Sequence, residues 1–306
     1  MSTKRSSLFS RTRTSLLEEE RSSHMRGGAN DTASSTTVSQ TYPRNSALKS
    51  HLVIPDCQVK EGVDISFLRH IGEYIVHKQP DVIICLGDFA DMPSLSSYDK
   101  GRKSFEGRRY NTDIEAARYA MKELLLPIWE YNAVRKKNHK PRYSPRMVLT
   151  LGNHENRIDR AVEAEAILED TISTSDLGYE EAGWEVHPFL DVVDIDGILY
   201  SHFFPRSPSG RVMQNRRGAP SANAQVKREM KSCTSGHLQG LDFSIYQTGH
   251  RRYYGLIAGS CYLHDENYLT SQGTAYWRGI IYKNEVTNGQ YDPMFVSLDY
   301  LKRRYG

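Results

Sequence analysis

The chain of 306 residues contains no apolar run approaching the roughly 20 residues that a bilayer-spanning helix requires. Cysteine is scarce. The four present, Cys57, Cys85, Cys233 and Cys261, include no C-x-x-C pair to read as a metal or redox motif. They read as reduced thiols of a cytoplasmic protein, with an inter-strand disulfide as the minor alternative. Excess charge of one sign is also missing, since the formal net charge is only +3. That balance neither demands nor excludes a polyanionic partner. No internal repeat is present, and aromatic residues are nearly absent before residue 48.

What is present divides in two. Residues 1–47 are rich in Ser, Thr and Arg and cannot bury enough surface to offset their ordering entropy, so a disordered tail is expected. An address signal or a tail that touches nucleic acid is the alternative, although Glu18-Glu19-Glu20 weakens a transit-peptide reading. Residues 48–306, with ordinary hydrophobic and charged content, are expected to form one domain.

The pattern of that domain is α/β. His51 to Ile54 is a short apolar strand, and Ile65 to Ile75 has helical spacing ending at Gln79-Pro80. Val82 to Leu86 is a continuous apolar run, as expected of a strand covered on both faces. Ile114 to Ala133 reads as a long helix that Pro127 should kink or end. Met147 to Leu151 is a further strand, and Ile158, Val162 and Ala166 share one helical face after it. Trp184 to Phe189, Asp191 to Ile195 and Ile198 to His202 follow as strands, with Asp196-Gly197 as a hairpin signal. Ala222 to Lys231 is a short helix, and the remainder is β-rich: Phe243 to Gln247, Tyr253 to Ala258, Thr274 to Tyr282 and Pro293 to Leu298. Two basic stretches stand out, one between Ser94 and Tyr110 and one spanning Arg206 to Arg217. The first is either a solvated loop or a flap over an anionic substrate.

Four turns concentrate the chemistry: Asp56-x-Gln58, Gly87-Asp88-x-x-Asp91, Gly152-Asn153-His154-Glu155 and Gly236-His237-x-Gln239. His202 closes a strand between the last two. Most of these turns follow apolar strands, and the carboxyl edge of such strands is where open α/β sheets bind ligands. A carboxylate can serve two cations at once, an asparagine offers a neutral oxygen, and histidine moves protons near neutral pH. Gly249-His250 is a rival for the last turn; His237 is preferred because Gln239 repeats the amide of Gln58.

In these turns, from His51 to the C-terminus, the sequence resembles the calcineurin-like metallophosphoesterase superfamily and looks most like its phage-encoded members. The resemblance implies a mixed β-sandwich flanked by helices, a dinuclear metal centre and, for a phage protein, the host cytoplasm. It implies that Asp88 bridges two divalent cations, that Asp56, Gln58 and Gln239 complete the first site, and that Asn153, His202 and His237 complete the second. His154 would be the acid, or a donor to the phosphoryl group, with Asp91 orienting it. Most members have histidines where Gln58 and Gln239 stand, so the first site should hold Mn²⁺ or Mg²⁺ loosely. Arg157 and Arg160 are either a solvated helix face or a phosphate clamp.

The expected activity is hydrolysis of a phosphomonoester or phosphodiester by a metal-bound hydroxide. A nuclease on DNA or RNA, using the two basic stretches, is the alternative. A non-catalytic phosphate-binding protein is the third reading. Phosphorylated substrate, no membrane and an undefined oligomer complete the expectation.

Overall fold

The computed structural model describes residues 48–97, 99–205, 221–265 and 276–306. The tail 1–47 and the basic stretch Arg206 to Arg217 lie outside them. Two mixed sheets stack face to face with helices outside. The first has the order β11-β10-β1-β2-β3-β4 and the second β5-β6-β7-β9-β8. In the first, β1 (Lys49–Ile54), β2 (Val82–Cys85), β3 (Arg146–Thr150) and β4 (Glu185–His187) run parallel. Hairpin β10 (Gly279–Thr287) and β11 (Gln290–Ser297) extends it antiparallel. In the second, β6 (Ile198–Tyr200), β7 (Ser232–Ser235) and β9 (Arg252–Ala258) are parallel, with β5 (Val193–Ile195) and β8 (Leu241–Gln247) antiparallel at the edges.

Burial follows from the strand sequences. Val53, Val82, Ile84, Val148 and Ile281 of the first sheet meet Ile195, Ile198, Tyr200, Tyr254 and Leu256 of the second to form the inter-sheet core. The opposite side chains of the first sheet, Leu52, Ile54, Ile83, Cys85 and Leu149, pack with residues of α1 (Ser66–Lys78), α2 (Tyr110–Lys137), α3 (Arg157–Ala164) and α5 (Leu298–Tyr305). Helix α4 (Ala222–Glu229) covers the second sheet through Val226 against Cys233. All four cysteines are buried and free. No helix among the described residues is long and apolar enough to cross a membrane.

Two details differ from the sequence reading. Pro127 does not end the helix: α2 continues through it for 28 residues in all. Its ring packs where Gly72 of α1 comes so close that a Cβ there would lie 2.4 Å from Leu124 O. Tight helix–helix contact therefore offsets the roughly 3 kcal/mol that an internal proline costs. Strand β7 was missed, since Ser-Cys-Thr-Ser has no apolar run. Its hydroxyls are buried because each is bonded: Ser232 Oγ accepts from Tyr254 N, Thr234 Oγ1 from Lys283, and Ser235 Oγ donates to Gln225. The Ser94–Tyr110 stretch contains two short 3₁₀ turns, Pro93–Leu95 and Lys103–Phe105, and Lys100, Arg102 and Lys103 in it are exposed, in keeping with the solvated-loop reading. Arg108 in it is committed to Asp99 and Pro93 O.

His51 on β1 is fully buried between the sheets, and burial is the main reason its pKa falls from 6.5 to about 4. A base whose folded pKa is depressed contributes stability above its unfolded pKa. That stability disappears as pH falls from about 6.5 towards 4, and the shift corresponds to about 3 kcal/mol. Thermal melts of metal-free protein should therefore show this loss, and His51→Gln should flatten it. Parallel pH profiles for the two proteins would contradict the assignment.

Candidate metal centre

Five turns build the site, each after the carboxyl end of a strand in a parallel array. β1 delivers Asp56 and Gln58, β2 Asp88 and Asp91, and β3 Asn153 and His154. From the second sheet β6 delivers His202, and β7 delivers His237 and Gln239. The site thus draws on both sheets. Its backbone is unusual: Gln58, Asp88, His237 and Gln239 all have positive φ, at 45°, 46°, 63° and 57°. Non-glycine residues in that region cost on the order of 1–3 kcal/mol each and persist where surrounding contacts over-determine them.

Those contacts can be traced. Gly152 approaches the Asp88 turn so closely that a Cβ would lie 2.1 Å from Asp88 Oδ1. Gly236 does the same to Asp56, where a Cβ would sit 2.4 Å from Oδ1. Glu155, fully buried, fastens two turns together. Its Oε2 accepts from Asp88 N and Gly152 N, both at 2.9 Å, and its Oε1 accepts from Ala90 N at 3.0 Å. Sequence reasoning saw Glu155 only as a polar neighbour of His154. The signal available was a carboxylate at the start of a helix, and its bonds to a distant turn are visible only in three dimensions.

Carboxylate, amide and imidazole atoms converge on one point. Ligand atoms of Asp88, His202 and His237 all lie within 4.8 Å of one another. Asn153 Oδ1 is 3.0 Å from His202 Nε2 and 2.7 Å from His237 Nδ1, and Asp88 Oδ2 is 3.4 Å from His202 Nε2. His202 Nδ1 meets Leu86 O at 2.7 Å; in the neutral ring, a proton donated there would leave the Nε2 lone pair facing the centre. Phe203 packs 4.7 Å from the His237 ring and limits access from that side.

Electrostatics fit a cation. Burial opposes ionisation of Asp88, but His154, His202 and His237 outweigh it and hold its pKa far below the usual carboxylate range. Burial likewise opposes a charged His202, while Asp88 and Asp56 raise its pKa to about 9. His237 moves down to about 4, through burial and then the His202 charge. Asp56 is pushed up to about 7, chiefly by burial. Its Oδ1 accepts His237 N–H at 2.9 Å, whereas Oδ2 is buried with no hydrogen-bond partner among the described residues. A buried carboxylate oxygen in that state is costly, and a divalent cation is the partner that would relieve it.

Gln58 and Gln239 are both buried. Cys261 N donates to Asp56 O at 2.7 Å, and the next residue, Tyr262, donates its hydroxyl to Gln239 Oε1 at 2.8 Å. His250, the rival for the last turn, is exposed between β8 and β9.

Beside this centre stands a second group. His154 Nδ1 is 2.8 Å from Asp91 Oδ1, and Lys60 Nζ is 2.8 Å from Asp91 Oδ2. Burial opposes a charged His154, yet Asp88 and Asp91 hold its pKa above the ordinary value. Arg157 donates to Asp91 O at 2.7 Å and approaches His154 Nε2 at 3.1 Å. Its guanidinium is thus engaged with the His154–Asp91 pair. Arg160 is exposed on α3 and shares none of these contacts. Lys60 was not singled out from the sequence; it lies two residues beyond Gln58, and only the fold brings it to Asp91. A cavity of about 260 Å³ opens above Asp88, Asn153, His154 and His237, with Tyr276 at its edge, a further residue that the sequence did not flag.

No family model matches the chain, and no curated protein matches it. Among solved structures it is similar to one described only as a crystal structure, with 12% identity, 82% of this chain and 100% of that chain covered, and a TM-score of 0.36. It is also similar to "GAP50 the anchor in the inner membrane complex of Plasmodium", with 11% identity, 82% and 85% covered, and a TM-score of 0.30. Likenesses this weak carry no argument about chemistry.

Proposed function

We propose that the protein is a metal-dependent phosphoester hydrolase of the calcineurin-like type. The observation that supports this most is the convergence of Asp88, Asn153, His202 and His237 from four separate turns beside the buried, unpartnered Oδ2 of Asp56. In this reading Asp88, Asn153, His202 and His237 would hold one divalent cation, and Asp56, Gln58, Asp88 and Gln239 would hold the other. The metal pair, when bound, supplies positive charge for the phosphoryl oxygens and activates the attacking water. The chain's own residues do the rest. The attacking oxygen forms its bond to phosphorus as the bond to the leaving oxygen breaks. His154 gives the leaving oxygen its proton. Asp91 fixes the His154 ring, and Lys60 and Arg157 fix Asp91. Arg157 is in this reading a positioning residue for His154 more than a clamp on substrate.

Turnover of an aryl phosphomonoester and of the corresponding bis-aryl diester, with Mn²⁺, Mg²⁺ and Zn²⁺, tests the proposal. Metal-dependent hydrolysis of either supports it, the diester arm pointing towards the nuclease alternative; no turnover with any metal would contradict it.

The donor sets also predict unequal metal sites. Two imidazoles, an amide and Asp88 would hold the second cation, while the first would have only oxygen donors, one of them shared with the Tyr262 hydroxyl. Oxygen ligands favour Mg²⁺ and Mn²⁺ and exchange readily. Elemental analysis after dialysis should find about one retained ion per chain. The double variant Gln58→His/Gln239→His should retain two and shift preference towards Zn²⁺. Two equally retained ions in the unaltered protein would refute the asymmetry.

A further inference from the structure

A second buried polar cluster takes no part in that chemistry. Lys283 of β10 is fully buried, and its described partners include no carboxylate. Its Nζ donates to Tyr200 Oη at 3.1 Å and Thr234 Oγ1 at 2.6 Å, and it lies 4.5 and 4.4 Å from the ring centroids of Tyr200 and Tyr291. Tyr200 Oη also meets His51 Nδ1 at 2.8 Å, and His51 Nε2 reaches Asp196 Oδ2 at 3.0 Å. One proton arrangement satisfies all four contacts. Lys283 donates to Tyr200, Tyr200 donates to His51, His51 donates to Asp196, and Thr234 accepts the second Lys283 proton.

Where these residues sit in the chain gives the cluster its meaning. Tyr200 ends β6 two residues before His202, and Thr234 lies in β7 three residues before His237. Lys283 belongs to the other sheet, where it is the register partner of His51 on β1, the strand that leads to Asp56. A single amino group therefore touches both strands that deliver imidazoles to the candidate centre, from a strand paired to one that delivers a carboxylate. Burial drives the Lys283 pKa well down. An aliphatic side chain would fill the same space without that desolvation cost, so net stability alone does not account for an amine here.

We infer that Lys283, with Tyr200 and Thr234, is a positioning cluster that sets the register of the two sheets and so the meeting of His202 and His237 with Asp88 and Asn153. The inference rests on the metal reading above. Groups that orient ligands from behind typically change metal affinity by roughly 10- to 100-fold when removed.

The test compares the full-length protein with Lys283→Met, Tyr200→Phe and Thr234→Val. Mn²⁺ affinity is read by electron paramagnetic resonance, and the visible spectrum is recorded at saturating Co²⁺. Melting is followed in chelator. The expected result is Mn²⁺ affinity about tenfold or more weaker in Tyr200→Phe and Lys283→Met, with altered Co²⁺ bands at saturation. A purely stabilising role would lower the melting temperature in chelator and leave the saturated Co²⁺ spectrum unchanged. Should Lys283→Met not fold, Tyr200→Phe and Thr234→Val each remove one partner of the amine and decide the matter. Unaltered affinity and spectra in the folded variants, beside a wild type that binds metal, would overturn the positioning role alone. A wild type that binds neither ion would overturn the metal reading, and this inference with it.

Discussion

Asp88→Asn is expected to strip the protein of retained metal and to lower metal-dependent turnover by on the order of 10³-fold or more. The substitution keeps the volume of a side chain that is only 1% exposed, so the fold should survive. What changes is charge and ligand count. Oδ1 accepts His154 N–H at 2.9 Å, and Oδ2 lies 3.4 Å from His202 Nε2. The carboxylate serves both functions, whereas an amide has one acceptor oxygen and no charge. Elemental analysis and turnover, beside circular dichroism to verify folding, check the prediction. A variant that holds its metal and keeps activity within about tenfold would show that Asp88 is not at the centre.

His154→Ala should fail differently. A positioned general acid contributes roughly 10²- to 10⁴-fold. His154 stands beside the convergent ligands, with its Nε2 3.8 Å from Asp88 Oδ2 and its Nδ1 2.8 Å from Asp91 Oδ1. The variant should lose kcat by that factor, keep the metal content of the wild type, and change KM little. The loss should be largest for substrates with poor leaving groups and shrink for an aryl ester whose phenolate leaves without a proton. Equal loss across leaving groups would argue that His154 binds the phosphoryl group instead of protonating the leaving oxygen. This pair of variants separates a residue that holds metal from one that handles a proton.

The turns were legible in the sequence because the strands before most of them are. A strand covered on both faces, such as Val82–Cys85, must be apolar at every position, and the polar residues that follow then stand out. Strand β7 escaped because its buried hydroxyls are satisfied by partners up to 49 residues away, as with Thr234 and Lys283. Lys283 lies just beyond the strand read as Thr274 to Tyr282, and only the fold, in which β10 runs on to Thr287, places it between two sheets. Pro127 does not end α2 because local propensity is outweighed by the contact with Gly72. Arg157 and Arg160 look equivalent at helical spacing, yet only Arg157 faces the Asp91 turn. Sequence spacing gives a face of a helix, not what lies opposite it. His237 and His250 each follow a glycine; topology separates them, since one turn comes off a central strand of the parallel array and the other joins an edge hairpin.

The central claim is spatial: two sheets bring together side chains from distant parts of the chain around a cation site. Anomalous scattering from crystals of the full chain grown with Mn²⁺ tests it most directly. The account predicts a strong peak within coordination distance of Asp88, Asn153, His202 and His237, and a weaker one on the Asp56 side that fades after soaking in metal-free buffer. A Mn²⁺ peak elsewhere, or none at this junction at saturating metal, would contradict it.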